Sequence, residues 1–448
     1  MSEAALLEAL TAALARAGGD VELSAHASRQ GTTRFAGSRV TQTGDVEDVI
    51  VQARVAVGRR VGAARCNALD EQSLARAIEL ARELAAAQPE SEFAGFDDGR
   101  TPTPTVPSSF DAATAAADAG ARAKLIEPAF REAGLAGLTA AGLAATTAST
   151  IAVVSSAGCR RAVRTTSARL DLMAACGEAS SRVSRYATQL ATVAAAADEL
   201  AHKACERAAR ARDPIVLPPG AYDVILEPAA VAELLEWLAL TSLGARGLED
   251  GSSCLAGRAG QRITGAVTLS DDALSGDGGC PTLPFDSEGT PKQRVTFLDG
   301  GIARAPVNDL ASAARAGVAP TGHAPPLGDD LFDGGPVPLH LHLAAGSDDD
   351  DALLQRVERG LWVTRFHYVN GLLDTRRALM TGMTRDGLFL VENGRLGRPV
   401  RNLRWTESLL EALERLAGTT RARHLHAAGL SDSLFLCPTL LIRGWRFR

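Results

Sequence analysis

Polar and apolar positions along the chain repeat with two different periods, and the switches between them divide it. In residues 3–17, "EAALLEALTAALARA", apolar positions lie three and four apart. This predicts an amphipathic helix stopped by Gly18–Gly19, a pair suited to a left-handed C-cap. "VELSAHAS", "RFAGSRVTQT", "VEDVIVQARVAV" and "RRVGAARC" then alternate with a period of two between glycines, as an antiparallel meander does. "DEQSLARAIELARELAAA" returns to the helical period. Asp70 is its expected cap, and Leu74, Ala77, Ile78 and Ala81 its buried face. Residues 88–110 are rich in Pro, Gly and acid and predict a connector.

The same plan then repeats. A helix over 111–132 leads into "GLTAAGLAATTAS", "TIAVVSSAG", "RRAVRTTSARLDLMAAC" and "SSRVSRYATQLA", and a helix of about 193–212 closes the unit. Asp213–Pro214 and Pro218–Pro219–Gly220 punctuate a boundary, giving a domain of two helix–strands–helix units over 1–213 and a second domain over 214–448. The second domain opens with a strand and a Pro-started helix carrying Val231, Leu234, Leu235 and Leu238 on one side. It continues rich in strands and loops, with further helices expected near 348–359 and 406–417. The fold class read from this pattern is α+β in two domains.

One stretch suggests a metal site. "PLHLHLAAGSDDDDALL" (338–354) sets His340 and His342 beside four aspartates. Its periodicity gives a structural reading instead. The histidines fall on one face of a strand. Ser347 can cap the helix that follows, and Asp348 to Asp351 occupy the first turn, where acids oppose the helix dipole. No H-E-x-x-H occurs, and "RARHLHAAG" reads as a solvated basic turn.

Composition narrows the classes. The 448 residues are 46% hydrophobic and 22% charged but only 4% aromatic, so the core must be built mainly from Ala, Val and Leu. A formal net charge of −6 argues against a chain made to hold a phosphate backbone, and direct nucleic-acid contact is not expected. The seven cysteines are scattered, with no C-x-x-C pair, as in reduced thiols of a cytoplasmic protein. The first segment lacks the pattern of a signal peptide, and no apolar run reaches a membrane span.

Two polar constellations remain. "PFDSEGTPKQRV" places Asp286 and Glu288 two apart, a spacing open to acid–base work or to a solvated turn. "GLWVTRFHYVNG" (360–371) concentrates aromatics in a chain poor in them. Alternation puts Arg365 and His367 on one face and Phe366 and Tyr368 on the other, as in the wall of a groove for an anionic or peptide substrate.

The order and spacing of "PFDSEGTPKQRVTFLDGGIARAPVND", "APTGHA", "VERGLWVTRFHYVNG" and "TGMTRDGLFLVENGRLGRPVRNLRWTESLLEAL" resemble the TldD/PmbA family, also called TldD/TldE or modulator of DNA gyrase. The resemblance implies a cytoplasmic heterodimer of a TldD-type and a TldE-type subunit that acts as a zinc metallopeptidase on peptides or amide bonds. TldD-type subunits carry H-E-x-x-x-H before the segment that here reads "DGSSCLAGRAGQRI". Glu236 and Thr241 stand where the histidines would be, and Trp237 where the catalytic glutamate would be. Cys437 does not match the position of the family's cysteine ligand. The resemblance therefore implies a metal-free TldE/PmbA-type subunit, with no cofactor of its own and zinc expected in the partner. Arg365, His367, His323, Asp286 and Glu288 are the candidate groove residues. Two alternatives stand beside this reading: a metal-independent amidohydrolase or tailoring enzyme, and a non-enzymatic regulatory binding protein.

Overall fold

The computed structural model describes residues 1–328, 335–427, 429–431 and 433–448. The first unit is α1 (Glu3–Ala17), β1 (Asp20–Ala36), β2 (Arg39–Val57), β3 (Arg60–Cys66) and α2 (Glu71–Ala87). The second is α3 (Ala112–Ala115), α4 (Ala119–Leu135), β4 (Thr139–Ser155), β5 (Arg160–Cys176), β6 (Ala179–Ala187) and α5 (Leu190–Arg210). Their meanders join through antiparallel β1 and β4 into one sheet, ordered β3-β2-β1-β4-β5-β6. Asp70 caps α2 through the Ser73 N–H, and Leu74, Ala77, Ile78 and Ala81 are buried as the spacing predicts. In the second unit the buried faces are largely alanine: Ala140, Ala144 and Ala168 on the sheet, and Ala197, Ala201 and Ala204 on α5. Small side chains let helix and sheet approach closely, which offsets the scarcity of aromatics.

The other domain comprises β7 (Gly220–Leu226), α6 (Pro228–Leu238), α7 (Ala245–Glu249), β8 (Leu269–Asp271), β9 (Val295–Asp299), β10 (Ile302–Ala303), α8 (Leu310–Ala316), β11 (His340–Leu343), α9 (Asp350–Gln355), β12 (Arg359–Asp374), β13 (Leu379–Glu392), β14 (Arg395–Pro399), β15 (Arg404–Ser408), α10 (Leu409–Glu414), β16 (Leu416–Ala427) and β17 (Leu434–Phe447). Its strands run β10-β9-β8-β11-β17-β15-β13-β12-β7. Because β7 also pairs with β17, strands β7, β12, β13, β15 and β17 close a ring. Phe366, Trp405 and Trp445 fill it with ring centroids 4.7–5.6 Å apart. The few aromatics of the chain are thus gathered where one large core must be filled. The fold is α+β, and no helix among the described residues is long and apolar enough to cross a membrane.

Several local expectations change. The helix expected at 111–132 is two helices, because Asp111 and Asp118 each cap a new start. Gly18 ends α1 with positive φ but an extended ψ of 152°, so it is not a left-handed cap. The cap of α9 is Asp349, which accepts from the Ala352 N–H, and not Ser347. Asp348 instead pairs with Arg356 at 2.8 Å. The helices near 348–359 and 406–417 shrink to six residues each because the chain is drawn into β12, β15 and β16 on either side. "RARHLHA" lies in β16 and is not a turn.

Charges placed at low exposure join the first sheet to a turn of the second half, between β8 and β9. Arg54 Nη1 reaches Glu22 Oε1 at 3.0 Å on its own sheet and Glu288 Oε1 at 2.6 Å across the joint. The connector also crosses: Ser109 Oγ and Thr282 Oγ1 are 3.0 Å apart, and Thr282 Oγ1 donates to the Pro107 carbonyl at 2.6 Å. One arginine between two carboxylates leaves acid in excess. Burial, opposed by Arg54, raises Glu22 from 4.5 to about 8. Burial and the nearby Glu288 raise Asp286 to about 7. A carboxyl raised in the folded state contributes stability that is full below its unfolded pKa and is lost as pH rises through its folded pKa. Thermal stability should therefore fall as pH rises from about 5 to about 8, and Glu22→Gln should flatten that fall. Parallel melting profiles for the two proteins would contradict this assignment.

Candidate functional site

Between the two sheets lies a cavity of 580 Å³. β5, β6 and α5 wall one side, and α6, β12 and β16 wall the other. The sequence of α6 explains its orientation. Pro228 sits in its first turn, and Val231, Leu234, Leu235 and Leu238 pack into the barrel core. Glu233, Glu236 and Trp237 are left toward the cavity. One π-helical turn, Ala239–Leu243, follows directly.

The buried acids around this cavity have partners. Arg365 donates from Nε and Nη2 to Glu233 Oε1 at 3.2 and 3.0 Å, and from Nη1 to Asp386 Oδ2 at 3.1 Å. Ser180 Oγ on β6 donates to the other oxygen of Asp386 at 2.7 Å, tying the N-terminal sheet to this network. Burial, opposed by Arg365, raises Glu233 to about 7. Glu227 accepts from Arg207 at 2.6 and 3.1 Å and from the Trp362 indole. Its burial is outweighed by Arg207 and Lys203, which hold it below the ordinary carboxylate range. Asp171 lies 2.7 Å from Arg169 Nε.

Glu236, 5% exposed, accepts from the backbone N–H groups of Gly429, Leu430 and Ser431 at 3.3, 2.7 and 3.2 Å. Its carboxylate holds Gly429 to Ser431, between β16 and β17. Trp237 stands against β12, where a Cβ at Gly371 would come within 2.9 Å of its own Cβ. Thr241 Oγ1 donates to the Trp237 carbonyl at 2.7 Å. Cys437 is fully buried in β17, and burial pushes its thiol pKa upward. These residues do not fit a zinc ion. Glu236 already accepts backbone hydrogen bonds, tryptophan offers no ligand, and no three His, Cys, Asp or Glu side chains converge on a common point among the described residues.

Of the five residues singled out in the sequence, Arg365 and His367 line the cavity and the other three do not. The Arg365 guanidinium is held by two carboxylates. Alternation breaks after His367: Phe366 is fully buried, while Tyr368 has φ of +50°, is 80% exposed and lies against His367 with its ring tilted by 46° and centroids 4.3 Å apart. His323 is fully buried, with Nε2 3.0 Å from Asp271 Oδ1 and Nδ1 3.0 Å from Thr321 Oγ1. Asp286 closes its own turn by accepting from the Glu288, Thr290 and Ala324 N–H groups, and Glu288 belongs to the Arg54 joint. These three are buried in structural roles away from the cavity. His340 and His342 are buried as well, in a strand covered on both faces. The histidines that do line the cavity are His424, His426 and His367. The first two were legible as an H-x-H alternation around Leu425, had the segment been read with a strand period.

The C-terminal half, residues 219–448, matches the model of the PmbA/TldA metallopeptidase C-terminal domain, and residues 21–85 match PmbA/TldA metallopeptidase domain 1. The chain belongs to this PmbA/TldD family. Among curated relatives, it is 22% identical over 225 residues to a metalloprotease of Methanothermobacter thermautotrophicus, covering 49% of this chain and 47% of that protein. It is 24% identical over 138 residues to a metalloprotease TldD homolog of Buchnera aphidicola, covering 30% of this chain and 27% of that protein. The matches thus span about half or less of those relatives. The fold is that of TldE from Thermococcus kodakarensis, with TM-score 0.86, 16% identity and 99% of both chains covered. A Thermotoga maritima protein described as a candidate modulator of a DNA gyrase superposes over 100% of both chains, with TM-score 0.85 and 18% identity.

Removing Arg365 would take from Glu233 its hydrogen-bonding cation and leave Asp386 with only the more distant Arg385, at 3.8 Å. Arg365→Ala should lower stability by roughly 3 kcal/mol, the low end expected for breaking a buried pair, because Glu233 can take up a proton. Urea unfolding at neutral pH checks this, and a loss below about 0.5 kcal/mol would show that the network carries no such weight.

Proposed function

We propose that this chain is the non-metal-binding, TldE/PmbA-type subunit of a heterodimeric peptidase that cleaves peptide or amide bonds. The observation that carries the reading is Glu236. It stands where the family resemblance sets a metal-binding histidine, yet its carboxylate is engaged by three backbone N–H groups. A hydrolase of this type needs a metal-activated water, and in this reading both metal and water belong to a TldD-type partner. This chain contributes a wall of the substrate groove. His367 and the exposed Tyr368 offer a polar and an aromatic surface beside the cavity, and strands with free edges border it, suited to gripping an extended peptide.

The reading is tested by purifying the chain alone and together with a partner carrying H-E-x-x-x-H. Alone it should hold no stoichiometric zinc by elemental analysis and should not cleave peptides. With the partner it should form a stable heterodimer whose amide hydrolysis is abolished by chelator. Full activity of the chain alone in chelator would refute the proposal in favour of a metal-independent hydrolase.

A further inference from the structure

The buried acids of the cavity are matched by partners, but part of its basic lining is not. β6 carries Arg185, whose Nε is buried without a hydrogen-bond partner. α5 presents Lys203, and β16 presents His424 and His426 two residues apart and so on one strand face. Among the described residues these four side chains have no ion pair or hydrogen bond. They face one another: burial and then Lys203 and Arg185 hold His424 below the usual imidazole range, and burial and His424 lower His426 to about 4. The acids on the same wall are Glu227, which is bound by Arg207 and lies in the field of Lys203 and of both histidines, and Asp171, beside Arg169. Glu199 and Asp350 are solvent-exposed at the rim.

We propose that this end of the cavity is a carboxylate subsite, in which Arg185, Lys203, His424 and His426 receive the carboxylate of a peptide. The chemistry matches on three counts. An arginine Nε buried without an acceptor gains one from a carboxylate oxygen, and a charge-assisted bond there is stronger than a neutral one. Lysine supplies a second cation on a flexible stem. A neutral imidazole retains one N–H donor and can add a bond without a second desolvated charge. The free edges of β6 and β16, which pack against each other, lie beside these groups and can hold the main chain that leads to the carboxylate. The inference deepens the proposed function by naming what part of a substrate this chain would hold, and it rests on that reading for the substrate being a peptide.

The test is binding by the full chain alone, without partner or metal, so its result is independent of heterodimer formation and of chelator-sensitive cleavage. Calorimetric titration would compare an acetylated tetra-alanine peptide with a free carboxyl terminus, its C-terminal amide, and an amidated peptide with an internal glutamate. The free acid or the glutamate peptide should bind at least about tenfold more tightly than the plain amide, about 1.4 kcal/mol. Which of the two does so identifies a terminal or a side-chain carboxylate. Lys203→Gln, on the exposed side of α5, combined with His424→Asn should reduce the preference to about twofold or less without changing the melting temperature. Arg185→Gln, followed by circular dichroism to confirm folding, should do the same. Equal affinity for acid and amide, no binding of any peptide, or a preference that survives these substitutions would each overturn the proposal.

Discussion

The structure depends on Arg54. Its guanidinium joins Glu22 of the first sheet to Glu288, in a turn between β8 and β9, both almost fully buried. The cavity lies between the two halves of the chain that this charge cluster helps to join. Its walls come from both, and the Ser180–Asp386 and Arg207–Glu227 bonds add to the joint beside it. A pair so placed is a demanding way to join two domains, since two carboxylates and one guanidinium must all lose water. Backbone amides relieve part of that cost: Leu310 N–H donates to the second oxygen of Glu288 at 2.9 Å. No such donor meets Glu22 Oε2, which is buried without a partner.

Arg365 repeats this logic nearer the cavity. It binds Glu233 of α6 and Asp386 of β13, and Asp386 in turn accepts from Ser180 of β6. A residue that looks in sequence like an anion receptor is, in the folded chain, a fastening between three elements. Glu236 is similar. The carboxylate at the position of a family metal ligand organises the segment that leads into β17. Both show that a polar side chain lining a cavity need not have its charge available to a ligand. Which groups remain available is decided by hydrogen-bond satisfaction and not by residue type.

Much of the fold was legible because its signals are local. The Asp70 cap, the buried stripe of α2 and the two helix–meander–helix units follow from period and turn chemistry alone. Short helices near 350 and 410 were over-extended, because the pull of neighbouring strands is a tertiary effect that propensity does not carry. The site was less legible. Asp286, Glu288 and His323 are attractive as chemistry but are consumed by buried structural bonds, 38 and 52 residues away in sequence for Asp286 and His323 and 234 residues away, across the domain joint, for Glu288. His424 and His426 sit among basic residues that in sequence resemble a solvated turn, whereas pairing with β17 makes them the face of a strand. Alternation also failed at Tyr368, where a left-handed residue turns the side chain outward.

The closed ring has a consequence for how the chain acquires its structure. β7 pairs at Leu226 with Leu440 of β17, so the barrel cannot close until nearly the whole second domain has emerged from the ribosome. The first sheet contains no such dependence: its six strands are complete by Ala187, and they can pair while the remainder is still being synthesised. The early strands of the barrel, β7 and β12, must meanwhile wait with unpaired edges beside a preformed sheet. Contacts this distant in sequence form slowly, because loop-closure entropy must be overcome first. Pairing of β17 therefore completes the barrel and brings Gly429 to Ser431, just before it, to the carboxylate of Glu236 beside the cavity.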